Sequence, residues 1–223
     1  MIYLGNNKIG SIYSGENKID KIYKGEELVY SSSPYVLATD ADFSGTVNGR
    51  FVYVGSDDYV IIPKVIKGVT ITATGYGTRD QYGWVTGSGM FKDSTVKGVM
   101  LEKGNSVISM INMFYYCKST TLDLSNLDTS NVTNILGMFR GCSATELDVS
   151  NFDTSKITAM DGVFRDCKLN FFDLSSWDTS KVTRSSYIFS GVSNKEGYAR
   201  TQADANFFNR AQYNPVRFTV KPT

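Results

Sequence analysis

The string LDLSNLDTSNVTNILGMFRGC, Leu122–Cys142, recurs 25 residues on as LDVSNFDTSKITAMDGVFRDC, Leu147–Cys167. It returns again as FDLSSWDTSKVTRSSYIFSGV, Phe172–Val192. No other feature narrows the possible folds as far. A unit of this length cannot bury its own apolar side, so successive units must stack and share one core. Equivalent residues then fall into columns: Phe139, Phe164 and Phe189; Asp128, Asp153 and Asp178; Cys117, Cys142 and Cys167.

Within one unit, Leu147 and Val149 alternate with Asp148, which predicts a short strand with Asp148 facing out. Ser150 and Asn151 are turn formers. Phe152 then points inward, as do its counterparts Leu127 and Trp177. Asp153, Thr154 and Ser155 can accept from backbone donors at the start of a helical turn. Ile157, Met160, Val163 and Phe164 recur at spacings of three and four, which predicts a short helix. Gly141 suits the exit from the equivalent helix one unit earlier. The expected fold is β-rich α+β: a leucine-rich-repeat solenoid of 25-residue repeats, each a short strand plus a short helix. Upstream, Met113-Phe114 precede Cys117 as Met138-Phe139 precede Cys142, Val107 matches Val132, and Met90-Phe91 mark an earlier, irregular member. The array is expected over residues 88–193.

The repeat also sorts the chemistry-bearing residues. The three cysteines occupy one register position and are expected as a buried, reduced column. Asp123, Asp148 and Asp173 are expected to project in a row from strands about 4.8 Å apart. That row is a candidate cation or glycan contact, or simply a solvated strand face. The chain lacks His, so the commonest general base and metal ligand are missing. Its other acidic groups are spread by the repeat and not gathered. No catalytic, cofactor or metal site is expected, and the protein is read as non-enzymatic. A net charge of +1 gives no electrostatic case for nucleic acid or an anionic membrane surface. No apolar run reaches transmembrane length, so membrane insertion is not expected.

A second period, of ten residues, occupies the N-terminus. Ile2-Tyr3, Ile12-Tyr13 and Ile22-Tyr23 recur, followed at constant offset by Gly5, Gly15 and Gly25. The triplets Gly5-Asn6-Asn7, Gly15-Glu16-Asn17 and Gly25-Glu26-Glu27 read as hairpin loops between strands Lys8–Ser14 and Lys18–Lys24. The result is a small β-meander over residues 1–30, apolar on both faces and too small to stand alone in water. It is therefore expected to attach to a partner or to another copy, through Ile2, Tyr3, Ile12, Tyr13, Ile22 and Tyr23. Residues 31–34, within YSSSP, form a linker. Residues 35–87 alternate in RFVYVG and DDYVIIPKVIKGVTITATG and are expected as a β-rich cap. Residues 194–223 are expected to cap the other end, with Ala199, Ala203, Phe207 and Phe208 at helical spacing and VRFTVKP as a closing strand.

The 25-residue string resembles the BspA-type leucine-rich-repeat family of bacterial and phage surface proteins. The shared pattern is Leu-Asp-Leu-Ser, Asp-Thr-Ser-Asn-Val-Thr, then a Met-Phe pair and Cys, and it recurs in register. YVIIPKVIKGVTIT and YARTQADANFFN are similar to segments that flank such arrays. Leu127 and Trp177 depart from the usual Phe, and Arg184–Phe189 from the usual Met-containing stretch. The Ile-Tyr-x-Gly repeat resembles N-terminal docking segments of phage tail or fibre proteins. These resemblances imply adhesion or virion-surface display, a homo-oligomer (a trimer by analogy with phage appendages), other virion proteins as partners through residues 1–30, and a host-surface glycan or protein as a further partner. MIYLGNNKIGSIYSG has no basic segment followed by an apolar core, so a secretory signal is not expected. The expected protein is a structural component of a phage particle, made in the host cytoplasm and displayed on the virion surface. A bacterial cell-surface adhesin is the alternative.

Overall fold

In the computed structural model, the backbone is described for residues 2–4, 7–9, 13–14, 17–18, 21–24, 27–31, 36–44, 51–63, 65–66, 69–79, 85–102, 104–193 and 195–222. Side chains are described for 37–44, 51, 53–63, 66, 71–75, 89–102, 104–193 and 195–222. The chain divides into two compact units, Met1–Val36 and Leu37–Thr223.

In the first unit the ten-residue period is written as three separate antiparallel pairs. Ile2–Leu4 pairs with Asn7–Ile9, Tyr13–Ser14 with Asn17–Lys18, and Lys21–Lys24 with Glu27–Ser31. These pairs fall one per period; the expected meander strands Lys8–Ser14 and Lys18–Lys24 run partly outside the described residues. Of the expected attachment residues, Ile2 and Tyr3 lie in the first pair, Tyr13 in the second, and Ile22 and Tyr23 in the third. Ile12 and the loop glycines Gly5, Gly15 and Gly25 lie outside the described residues.

The second unit overturns the strand-plus-helix repeat. One α-helix occurs among the described residues, Gln202–Asn209, and it lies beyond the repeats. Of the three repeated strings, the last alone opens with a strand, Phe172–Leu174. Leu147–Val149 is not a strand and Ile157–Phe164 is not a helix. A leucine-rich-repeat solenoid of strand-plus-helix units is therefore not what this chain builds.

Hydrogen bonding supplies the reason. The N–H groups of Met160, Gly162, Phe164 and Asp166 donate to the carbonyls of Arg184, Ser186, Ile188 and Ser190 in the next unit, at 2.8–3.0 Å. The intervening N–H groups of Val163, Arg165 and Cys167 donate three residues back, to Met160, Gly162 and Phe164. These are overlapping β-turns. Half of the donors point sideways, so none is left for an i→i−4 ladder. The same set recurs one unit earlier, where Ile135, Gly137, Phe139 and Gly141 donate to Ala159, Asp161, Val163 and Arg165.

Two backbone columns make these turns possible. Asn112, Gly137, Gly162 and Tyr187 all have φ between 53° and 62°, and Tyr116, Gly141, Asp166 and Gly191 between 52° and 77°. All but Tyr187 sit third in a hydrogen-bonded turn, where a type II turn needs a left-handed residue. A helix would be broken twice per unit by such residues. Ile157, Met160, Val163 and Phe164 do face inward, but because successive turns return the chain to the core every three or four residues.

Between the turns, single parallel bridges link Ala73, Ser109, Asn134, Ala159 and Arg184. The hydroxyls of Thr133, Thr158 and Thr183 reinforce this seam, each donating to a carbonyl of the preceding unit at 3.2 Å. Inside, the rings of Phe91, Phe114, Phe139, Phe164 and Phe189 form a continuous stack with centroids 5.6–5.9 Å apart. All five are fully buried. Burial of each ring contributes about 1.5–3 kcal/mol, and ring contacts add to that.

Phe43, Phe51 and Tyr53 continue the aromatic core beyond Phe91, beside a parallel pair formed by Tyr59–Ile62 and Gly98–Leu101. At the far end, Phe172–Leu174, Lys195–Ala199 and Val216–Val220 form a three-stranded parallel sheet. Ala199 ends a strand there and does not join the helix. The outer strand would leave unpaired backbone groups. Asn209 meets this need by donating to the Phe218 carbonyl (3.0 Å) and accepting from its N–H (2.9 Å). Asn214 does the same for Val216, at 2.8 and 2.7 Å.

Candidate functional site

The Asp123, Asp148 and Asp173 column is occupied locally. Each carboxylate accepts from the N–H two residues on, at Ser125, Ser150 and Ser175, at 2.9–3.1 Å. These are Asx turns that bend the chain after its first apolar residues. Asp148 is exposed while Asp123 and Asp173 are half-buried. The Ser150 hydroxyl and N–H hold the Asp148 carboxyl below its usual value. Burial pushes Asp173 up, but Lys221, 2.8 Å away, and Ser175 outweigh it and hold it low.

The Asp-Thr-Ser motif has a different task from helix capping. Asp128, Asp153 and Asp178 accept from the N–H of Ser130, Ser155 and Ser180 at 2.9 Å. Buried Thr129 and Thr154 reach across to the next unit, where each hydroxyl accepts from the N–H and donates to the carbonyl of Asp153 or Asp178. Thr179 has no further repeat to meet. Its N–H and hydroxyl both donate to Asp204 of the helix, at 3.1 and 2.7 Å. Asp204 thus substitutes for a missing unit. Burial pushes its carboxyl up, yet Thr201, Thr179 and Arg200 together hold it below the usual value.

Charged and aromatic side chains gather over the turns. Arg140 and Arg165 share a register position and both approach Asp166, at 3.7 and 3.2 Å. Arg140 lies over the Tyr115 ring at 5.4 Å and Arg165 over Tyr187 at 5.9 Å. Tyr116 covers Gly141, where a Cβ would come within 2.5 Å of its ring. Glycine there serves the close approach as well as the φ of +66°. Burial lowers the Arg165 pKa, with repulsion from Arg140 adding to it. This ridge is internally paired.

A concavity lies at the C-terminal end. Ala203, Asn206, Phe207 and Arg210 fall on one helical face, at spacings of three and four. That face looks across at Ser185 and Ser186 of the last unit. The groove between holds about 580 Å³, within the roughly 300–1,000 Å³ usual for small-molecule sites. Sequence reasoning singled out Ala203 and Phe207 as apolar helix positions and passed over Asn206, Arg210 and Gln212. The repeat carries no signal for them, because the site exists only where the repeat stops.

The cysteines are free and buried. The Cys117 thiol and burial push Cys142 up, and burial pushes Cys167 up to about 12. Among the described residues no group of three or more His, Cys, Asp or Glu could hold a metal ion. No described helix is long and apolar enough to cross a membrane. No curated protein and no solved structure matches the chain. One family model does match, over residues 87–201, just over half of the 223 residues. That span starts at the Met90-Phe91 unit and ends at Thr201, which caps the helix. The chain therefore belongs to the family described as Mycoplasma protein of unknown function, DUF285.

Proposed function

We propose that the protein is a non-enzymatic structural component of a phage particle, part of a tail, fibre or other surface appendage. Its repeat body is displayed for host-surface binding or particle decoration. The observation that carries this reading is the division between a small N-terminal unit of recurring antiparallel pairs and a body of stacked turns. A short unit that repeats its own ten-residue pattern suits attachment, and a body cross-linked by backbone bonds at every unit suits exposure outside a cell. The full chain is proposed to assemble as a homo-oligomer, first a trimer, and to dock on other virion proteins through residues 1–30.

A bacterial cell-surface adhesin is the second reading, favoured by the bacterial genus in the family description. One experiment separates the two. An antibody raised against the repeat body is applied, with gold detection, to purified phage particles and to intact bacterial cells producing the protein. Gold at particle appendages supports the first reading. Gold on the cell surface and none on particles refutes it in favour of the adhesin.

A further inference from the structure

The groove beside the helix combines features that the stacked turns do not explain. Asn206, Phe207 and Arg210 present one helical face to it, Gln212 follows the helix, and Ser185 and Ser186 form the opposite wall. The other arginines nearby are paired: Arg184 with Asp161 at 3.1 Å, and Arg200 with Asp178 and Asp204 at 3.0 and 3.1 Å. Among the described residues no carboxylate pairs with Arg210, although it lines the groove. Its backbone N–H closes the helix by donating to Asn206 and Phe207, so the side chain has no part in that closure.

The polar lining is of hydroxyl and amide type. Gln202 donates to the Asn206 side-chain oxygen at 3.0 Å, which fixes that amide and leaves its NH₂ as a donor. Ser185 and Ser186 contribute hydroxyls that both donate and accept. Phe207 contributes apolar surface. Directly after Ser186 and Gln212 come Tyr187 and Tyr213, whose rings stack at 5.5 Å and 11°. Tyr213 is 68% exposed. Such a set, several neutral hydrogen-bonding groups, aromatic surface and one uncompensated guanidinium, matches a polyhydroxylated ligand with a single carboxylate. A phosphate group would bring nearly two charges, whereas Arg210 is the one cationic side chain among the described residues that line the groove. The helix N-terminus, the usual second source of positive potential, is already filled by Thr201 and Asp204.

We infer that this groove binds an acidic saccharide, with Arg210 pairing to the sugar carboxylate and Asn206, Gln212, Ser185 and Ser186 serving its hydroxyls. The inference rests on the surface-binding reading above and names the class of glycan that the body would meet. Charge-assisted, forked pairing from arginine is among the stronger polar contacts.

The test uses the full chain and two probes that differ at one group, glucuronic acid and glucose, in ligand-detected NMR titrations. Glucuronic acid is expected to bind at least about tenfold more tightly than glucose. Arg210→Ala should abolish that preference while the melting temperature stays unchanged. Arg210→Lys, which keeps the charge and loses the fork, should retain part of it. Equal binding of the two sugars, or a preference that survives Arg210→Ala, overturns the inference. So does an absence of glucuronate binding by a chain that still attaches to host cells, and that result leaves the surface-binding reading standing. Glucuronate binding with the Arg210-dependent preference supports the groove assignment even if the chain attaches to neither cells nor particles, in which case the surface-binding reading fails alone.

Discussion

Replacing Phe164 with alanine removes the ring that joins most of the core. Phe164 is fully buried and stacks in parallel on Phe139 at 5.7 Å and on Phe189 at 5.9 Å. Its edge meets Phe172 at 5.4 Å and it tilts against Trp177 at 5.6 Å. The site cannot collapse easily, because Phe139 and Phe164 are held by backbone bonds to the next unit, Phe172 lies in a sheet, and the Trp177 ring N–H donates to the Val149 carbonyl. A buried Phe→Ala change of this kind costs about 3–5 kcal/mol. For a domain of this size each kcal/mol shifts the melting temperature by about 2–4 °C, so a fall of about 6–20 °C is expected. Asp148→Ala is the matched control. It removes one exposed acceptor from an Asx turn, a loss of about 1 kcal/mol, or about 2–4 °C. Calorimetry of both variants at one pH checks the difference. Equal losses would refute the inward placement of Phe164 and the outward placement of Asp148.

Three further outcomes follow from the same contacts. Asp204 has a depressed folded pKa, so its contribution to stability is fully present above the unfolded value of about 3.9 and fades as pH falls through the lower folded value. The melting temperature should therefore drop between about pH 5 and pH 2, and less steeply in Asp204→Asn; parallel curves would rule out that role. The three cysteines should react slowly with a thiol reagent in the native protein and completely after unfolding, and rapid native labelling of all three would show the column to be open. Asn209→Ala combined with Asn214→Ala should uncover the outer edge of Val216–Val220 and cause concentration-dependent self-association in sedimentation; an unchanged sedimentation coefficient would show that the edge needs no cover.

The 25-residue period is legible because burial repeats with it. Phe139, Phe164 and Phe189, the three cysteines, and Leu127, Phe152 and Trp177 are each spaced at 25 and each buried. The path of the backbone between those points is not legible in the same way. Ile157, Met160, Val163 and Phe164 satisfy a helical spacing, but a run of β-turns brings side chains inward at the same intervals. The discriminating residues are Gly137 and Gly162, 25 apart, with Gly141 and Gly191 in the companion column. Glycine twice per unit at fixed positions marks left-handed turns better than it marks helix ends. Tyr187 and Asp166 hide the pattern by occupying those positions in other units. The Asp-Thr-Ser motif misleads for a related reason, since its threonines bond across units and not along one chain. Asp204 and the groove residues beside it carry no periodic signal, because they act where the repeat ends.

The decisive measurement is the effect of Gly162→Ala on stability. In the interior of a helix, replacing glycine by alanine stabilises by about 1 kcal/mol. Gly162 instead has φ of +61° inside a turn, and its N–H bonds to Ser186 of the next unit at 2.8 Å. A side chain in that conformation costs about 1–2 kcal/mol. The two accounts therefore predict opposite signs. Stacked turns predict a melting temperature lowered by about 2–8 °C, and a raised melting temperature would contradict them.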